Sequence, residues 1–298
     1  MKQIIECVAN FSEGRRFDVI DRIVHAIDDV SGVAVLGAES DADHHRSVVT
    51  FVGSPKAVAA AAFAGIREAS LLIDMEKHQG QHPRIGAADV IPLIPLQNVS
   101  MADCVRWARD LGKRVGMELN LPIFLYEEAA LQAANRNLAD IRRGGYEQLR
   151  QTIETGAAPQ PDFGPSRMSH AGACVIGARH ALIALNVYLP TSDVEIARKI
   201  ARAIRHSSGG LRYVKALGLL VKGQAQVSMN LTNYEKTPIH RVMEMIRREA
   251  GRYGLGIEGS ELIGFVPQDA LFAAAAWYMQ MDNLTSERVL ENRLAGLK

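Results

Sequence analysis

Apolar positions recur along this chain at two different spacings, and the switches between them mark the elements. Lys2 to Asn10 predicts a strand. Arg15 to Val30 predicts a helix, because Phe17, Ile20, Val24 and Ile27 fall on one stripe at helical period. Short β-rich runs follow at Val33 to Gly37 and Arg46 to Val52. Ser54-Pro55 then opens a second helix, with serine as N-cap and proline at the first helical position, and Val58, Ala62, Phe63 and Ile66 on its apolar face. Val90 to Pro95 closes the unit as an apolar run.

From Ala181 the same order returns. Ile183 to Leu189 predicts a strand, and Ser192 to Glu195 a capping box opening a helix with Ile196, Ile200 and Ile204 on one face. Leu211 to Val221 and Ala225 to Leu231 read as strands. Thr237-Pro238 repeats the cap-plus-proline device before Ile239, Val242, Met243 and Ile246, and Leu262 to Pro267 closes the second unit. Each half therefore predicts β-α-β-β-α-β, the split βαβ or ferredoxin-like plan, in an α+β chain. The first half extends further, with a capped helix over Ser100 to Gly116, a strand at Leu121 to Tyr126 and a helix over Tyr146 to Glu154. A Pro/Gly-rich loop, Gly156 to Gly172, reads as the connection between halves. The boundary is placed near residue 180, giving 1–180 and 181–298.

The repeat singles out one segment. The span from Ser54 to Ile94 is longer than that from Thr237 to Val266, and the surplus falls in the His78 to Gly86 loop. A unit that folds without such a loop shows that folding does not require it. The loop carries His78, His82 and Arg84 with two glycines: groups that titrate near neutrality, fork onto carboxylates, and let a ligand approach the backbone. One histidine could act as an acid–base catalyst, and chemistry alone does not choose between His78 and His82. Asp41, Asp43, His44 and His45 raise the question of a metal. Gly80 and Pro83 argue against the helix that an i, i+4 histidine pair needs, so no metal is expected. The Asn10, Ser12, Gly14 stretch at a strand end could offer helix amides to an anion, or Ser12 could simply cap the helix.

Composition narrows the class. The chain has 298 residues, 48% of them hydrophobic and 22% charged, with a formal net charge of +1. That balance fits a globular protein and supplies no overall basic field for nucleic acid or an anionic membrane. Cys7, Cys104 and Cys174 are scattered in apolar surroundings and fit free thiols in a reducing compartment. No signal-like or bilayer-length apolar run is evident, and a cytoplasmic location is expected.

Several long motifs resemble one family in order: Cys7-Val8 with Asn10-Phe11-Ser12-Glu13-Gly14, Arg46 with Thr50-Phe51-Val52-Gly53, Ile73-Asp74-Met75, His78-Gln79-Gly80 with His82-Pro83-Arg84, Asp162-Phe163-Gly164-Pro165-Ser166, and Gly177-Ala178-Arg179. The chain is similar, over essentially its whole length, to the formiminotransferase domain of the formimidoyltransferase-cyclodeaminase family. The resemblance implies two ferredoxin-like subdomains with a ligand groove between them. It implies transfer of a formimino group from N-formimino-L-glutamate to N5 of tetrahydrofolate, a co-substrate that can carry a polyglutamate tail, in histidine degradation. It makes His82 the catalytic histidine and places Asn10, Ser12, Glu39, Phe163, Gly164, Pro165, Ser166 and Gly172 among substrate- or folate-binding positions. Arg46, Arg84 and Arg179 are candidate clamps for the glutamate carboxylates of both substrates. A homodimer is expected, and a cyclodeaminase activity would come from a separate protein. Glu39 stands where an aspartate is expected, His45 where asparagine is common, and Ala171 where some relatives have an aromatic. A formyltransferase using N-formylglutamate and a non-catalytic folate-binding protein are the alternatives.

Overall fold

The computed structural model describes residues 2–80, 82–156 and 159–295. The chain divides into two units, Met1–His180 and Ala181–Lys298, each with its own sheet and apolar core.

In the first unit β1 (Ile4–Phe11) alternates strictly: Ile5, Cys7, Ala9 and Phe11 are buried, while Glu6, Val8 and Asn10 are partly exposed. The buried set packs under α1 (Phe17–Asp28) and α2 (Pro55–Leu72), which lie on one face of the sheet. Each isoleucine or phenylalanine buried there contributes roughly 1.5–3 kcal/mol. On α1 the buried stripe is Val19, Ile20, Ile23 and Ile27; Phe17, expected on it, begins the helix and is exposed. On α2 all four predicted positions are buried, and Ser54 Oγ accepts the Ala57 amide as the predicted cap. β2 (Val33–Asp41), β3 (Arg46–Gly53) and β4 (Ala88–Gln97) complete the repeat in the order β2-β3-β1-β4.

The extension widens this sheet. α3 (Met101–Glu118) starts with the predicted capping box, Ser100 with Asp103. β5 (Ile123–Glu127), the short α4 (Leu138–Ile141) and α5 (Gly145–Thr152) follow. After them β6 (Cys174–Ala178) inserts between β4 and β5, parallel to both. The Gly156 to Gly172 loop therefore does not join the halves; it returns the chain into the first sheet. All five β6 residues are buried. A short strand covered on both faces has no alternation to betray it.

The second unit runs β7 (Ile183–Tyr188), α6 (Val194–Ile204), β8 (Val214–Val221), β9 (Gln224–Leu231), α7 (Ile239–Gly251) and β10 (Gly259–Ile263), then α8 (Gln268–Met279) and α9 (Leu290–Ala295). Its sheet order, β10-β7-β9-β8, is that of β4-β1-β3-β2, and every pairing is antiparallel. The split βαβ plan holds in both units. Three local expectations do not. Asp193, not Ser192, caps α6, accepting the Glu195 amide. Thr237 does not cap α7; its hydroxyl donates to Arg212 O. The last strand ends at Ile263, so the predicted run Leu262 to Pro267 mostly lies beyond it.

Candidate active site

Strand pairing places Asn10 opposite Val48, two positions from Arg46 on the same side of β3. Both therefore project from the face that α1 and α2 leave uncovered. There Arg46 Nε donates to Asn10 Oδ1 at 3.0 Å, and Asn10 Nδ2 donates to Val8 O at 2.8 Å, so the amide is held as a fixed acceptor for the guanidinium.

The α2–β4 connection, residues 73–87, passes over this end of the sheet, whereas the matching α7–β10 connection spans only 252–258. Gly86 and Gly172 pin it. They form an isolated bridge, and a Cβ on Gly86 would lie 1.9 Å from Ala173 O. Ser12 adds a second anchor: its buried hydroxyl donates to Gly86 O at 2.7 Å. Ser12 and Gly172 thus shape the loop rather than present a free polar group.

The structure separates the two loop histidines. His78 is buried and stacked on His45, with ring centroids 4.1 Å apart. Its Nε2 lies 2.9 Å from His45 O, and its Nδ1 accepts from Arg84 Nε at 3.0 Å, so both ring nitrogens are occupied. Arg84 is equally committed. Its two terminal nitrogens grip the Glu147 carboxylate at 2.9 and 2.7 Å, and Nη2 also donates to His78 O at 3.0 Å. The fork expected to clamp a substrate carboxylate is closed on α5.

His82 sits differently. Its Nδ1 lies 2.7 Å from Pro83 O and 2.6 Å from Arg46 Nη1, and its Nε2 lies 3.2 Å from the same nitrogen. Burial, then the Arg46 and Arg142 guanidiniums, hold its pKa well below the ordinary 6.5. The ring is therefore neutral at physiological pH. In the tautomer that carries its proton on Nδ1, donated to Pro83 O, the lone pair is on Nε2, beside Arg46 Nη1. Burial, and after it the neighbouring Arg142, also push Arg46 down to about 9, which leaves it cationic at neutral pH.

Three residues that the sequence did not single out, Asp89, Arg142 and Tyr126, complete the cluster. Asp89, 1% exposed, accepts the Ile85 amide at 2.9 Å through Oδ1. Its Oδ2 pairs with Arg142 Nη2 and lies 3.6 Å from Arg46 Nη1. Tyr126, 2% exposed, hydrogen-bonds Arg179; burial pushes its phenol up to about 12 although Arg179 and Arg142 pull the other way. A Cβ on Gly177 would lie 2.4 Å from the Tyr126 ring, so only glycine on β6 admits this packing. A lone carboxylate ahead of an apolar run is the signal that could have found Asp89, since a buried charge requires a partner. Nothing in the weakly patterned stretch before α5 marks Arg142 as that partner.

Glu39 is exposed on the edge strand β2; Val48 pairs with it on one side and with Asn10 on the other, so Glu39 lies on the same face of the sheet as Asn10, two strands away. The predicted positions from Phe163 to Ser166 lie elsewhere. Phe163 exchanges backbone hydrogen bonds with Ile123 and packs on Gly112 and Gly116 of α3, and Gly164, at φ +81°, abuts Leu121 O. Pro165 is half-buried, and Ser166 donates to Gln160 Oε1 at 2.8 Å. Ahead of α1 the protein's own Glu13 carboxylate takes the place an anion was expected to fill. The approaching amides at Gly14, Arg15 and Arg16 all donate to Glu13 Oε1 at 2.9–3.1 Å. Burial alone would raise Glu13, but these amides and the Arg16 guanidinium outweigh it and bring the carboxyl down to about 2.

Burial raises all three free thiols, Cys104 to about 11, so none is a nucleophile. Among the described residues no cluster of three or more His, Cys, Asp or Glu is arranged to hold a metal ion, and no helix is long and apolar enough to cross a membrane. What the first sheet offers is a neutral imidazole beside two guanidiniums, suited to moving a proton next to a bound anion.

Residues 4–179 match the formiminotransferase domain, N-terminal subdomain, and residues 184–294 match the formiminotransferase domain. The chain is 50% identical to the glutamate formimidoyltransferase of Thermoplasma acidophilum over 98% of this chain and 97% of that one. It is 42% identical to the glutamate formimidoyltransferase of Streptococcus pyogenes serotype M1 over 99% and 100%. Against the formimidoyltransferase-cyclodeaminase of Rattus norvegicus it is 44% identical over 95% of this chain and 54% of the relative. Matches that span both units at these identities make the chain a member of the glutamate formimidoyltransferase family, and a formimidoyl-transferring enzyme.

Proposed function

We propose that this enzyme moves the formimino group of N-formimino-L-glutamate onto N5 of tetrahydrofolate, giving 5-formimidoyltetrahydrofolate and L-glutamate, as a step of histidine degradation in the cytoplasm. The observation that carries the reading is the neutral His82 beside Arg46, on a loop that the second unit lacks. Tetrahydrofolate, with or without further glutamates, is the co-substrate. No metal takes part in the proposed steps.

N5 attacks the formimino carbon and forms the new N–C bond. His82 Nε2 takes the proton that N5 loses. The tetrahedral intermediate then breaks its bond to the glutamate nitrogen, and His82 returns the proton to that leaving group. One ring serves both steps. Arg46 tunes it: a guanidinium beside the ring disfavours imidazolium and so makes the protonated form a better acid for the second step. Acid–base assistance of this kind contributes about 10²–10⁴-fold, and the rest comes from holding two substrates in reacting geometry. Arg84, locked between His78 and Glu147, keeps the loop in place for His82.

The test is a paired turnover assay. Tetrahydrofolate is offered with N-formimino-L-glutamate or with N-formyl-L-glutamate, using wild type and His82→Ala. Turnover of the formimino donor, lost in the variant, is the expected result. Preference for the formyl donor would replace this reading with the sister activity. Tight folate binding with no turnover of either donor would leave a binding protein.

A further inference from the structure

Two guanidiniums converge on a single carboxylate oxygen beside His82. Arg142 pairs with Asp89 Oδ2, and Arg46 Nη1 lies 3.6 Å from the same atom. Asp89 is also committed through Oδ1 to the Ile85 amide. One negative charge thus faces two positive ones, and all three side chains are largely buried, at 11% exposure for Arg142, 17% for Arg46 and 2% for Asp89. Arg142 Nε is buried and, among the described residues, has no hydrogen-bond partner. A buried guanidinium N–H without an acceptor, next to an excess positive charge, is the condition that an incoming anion relieves.

We infer that Arg142, with Arg46, forms the subsite for the carboxylate on the donor's α-carbon, and that Arg142 confines the enzyme to α-amino-acid donors. The inference rests on the formimino-transfer reading above. The chemistry of the donor fixes the carboxylate. The leaving nitrogen is bonded to Cα, which bears the α-carboxylate, so that group's carbon lies only about 2.5 Å from the nitrogen. The side-chain carboxylate is two methylenes further away. Arg46 Nη1 is 3.2 Å from His82 Nε2, so an anion seated on Arg46 and Arg142 sets the departing nitrogen beside the group that must protonate it. A fork that binds a carboxylate bidentately also fixes its direction, which a single point charge would not.

The experiment compares two neutral-nitrogen analogues of the donor on the full chain by titration calorimetry: N-formyl-L-glutamate, and 4-formamidobutanoate, which lacks only the α-carboxylate. Wild type is expected to bind the first at least tenfold more tightly. Arg142→Gln is expected to erase that preference and to raise KM for N-formimino-L-glutamate at least tenfold, with KM for tetrahydrofolate unchanged and partial recovery in Arg142→Lys. Equal affinity of wild type for both analogues overturns the inference, whether or not Arg142→Gln folds. So does a well-folded Arg142→Gln that keeps the preference. Failure of wild type to turn over the formimino donor would instead count against the reaction assigned above, because the calorimetric comparison does not depend on turnover.

Discussion

The two sheets share a strand order but finish their polar faces in different ways. On β7 of the second unit, Asn186 and Tyr188 both donate to Glu261 Oε2 of β10, at 3.3 and 2.9 Å. Neutral donors there satisfy one carboxylate. On the first sheet Asn10 holds Arg46, and Arg46 and Arg142 together outnumber Asp89, with His82 against them. Every group that makes the difference, apart from Asn10, Arg46 and Asp89 on the shared strands, arrives on an addition: His82 on the long α2–β4 connection, Arg142 after α4, and Tyr126 and Arg179 with β5 and β6. The repeated scaffold supplies the face and one ion pair on it, and the additions supply the imidazole and the surplus positive charge. Function here lies in what is grafted on the fold.

The sharpest break in the comparison is His82→Ala. It should lower kcat by about 10²–10⁴-fold, equivalent to about 2.7–5.4 kcal/mol. A loss below tenfold would remove His82 from the chemistry. The pH profile gives a second reading. Because the folded pKa lies below 6.5, the acid limb of kcat/KM should fall below that of an ordinary histidine. Between the two values the unfolded chain binds more protons at His82 than the folded one. Stability from this residue is therefore full above about pH 6.5 and declines as pH drops toward the folded pKa. An acid limb at or above 6.5 would contradict the burial and cationic surroundings described.

Asp89→Asn comes next. It leaves two buried guanidiniums facing each other without their shared charge, and should cost about 3–5 kcal/mol by chemical denaturation. The counterpart on the second sheet, Glu261→Gln, keeps an acceptor for neutral donors at an exposed position and should stay within about 0.5 kcal/mol. Similar losses in both variants would mean that the two faces do not differ in charge balance.

How far the sequence anticipates this structure follows from the same contrast. The shared scaffold is legible because half-buried helices leave a period: Val58, Ala62, Phe63 and Ile66 declare α2, and Val242 and Ile246 declare α7. β6 has no period, being buried on both sides, and so the pattern does not predict it. At the site, His82 and Arg46 could be named from motif and loop length, but their contact depends on register between β1 and β3 and on the path of the loop. Arg142 could not be named. Its role arises from a contact 53 positions away in sequence, and its own neighbourhood shows no pattern. Arg84 shows the converse: its residue type suited a ligand, and only Glu147 reveals that its fork is already filled.

Glu13 tests whether the α1 N-terminus is closed by the protein itself. Glu13→Gln should cost about 1–3 kcal/mol, since three amides and Arg16 lose a charged acceptor. The sign is set by a folded pKa of about 2 against an ordinary 4.5. The carboxylate's contribution is full above about pH 4.5 and is lost as pH falls toward 2, so wild type and variant should converge in that window. A gap that stays constant through it would show that packing, rather than charge, is what the substitution removes.

The smallest effects probe how deep the repeat goes. Mirrored caps at Ser54 and Thr237 and a box at Ser192 suggested that the two units match down to single residues, yet only Ser54 caps its helix. Ser54→Ala should cost about 1 kcal/mol, and so should Asp193→Ala, each by freeing one amide of the first helical turn. Ser192→Ala should cost close to nothing, because the hydrogen bond assigned to it is made by Asp193. Thr237→Ala should destabilise through a different route, the lost bond to Arg212 O ahead of β8, and so should be insensitive to helix-stabilising substitutions in α7. If Ser192→Ala costs as much as Asp193→Ala, the units are alike in their local chemistry too. If it does not, what they share is topology carried by buried faces, with each unit free to cap its helices, and to arm its open face, in its own way.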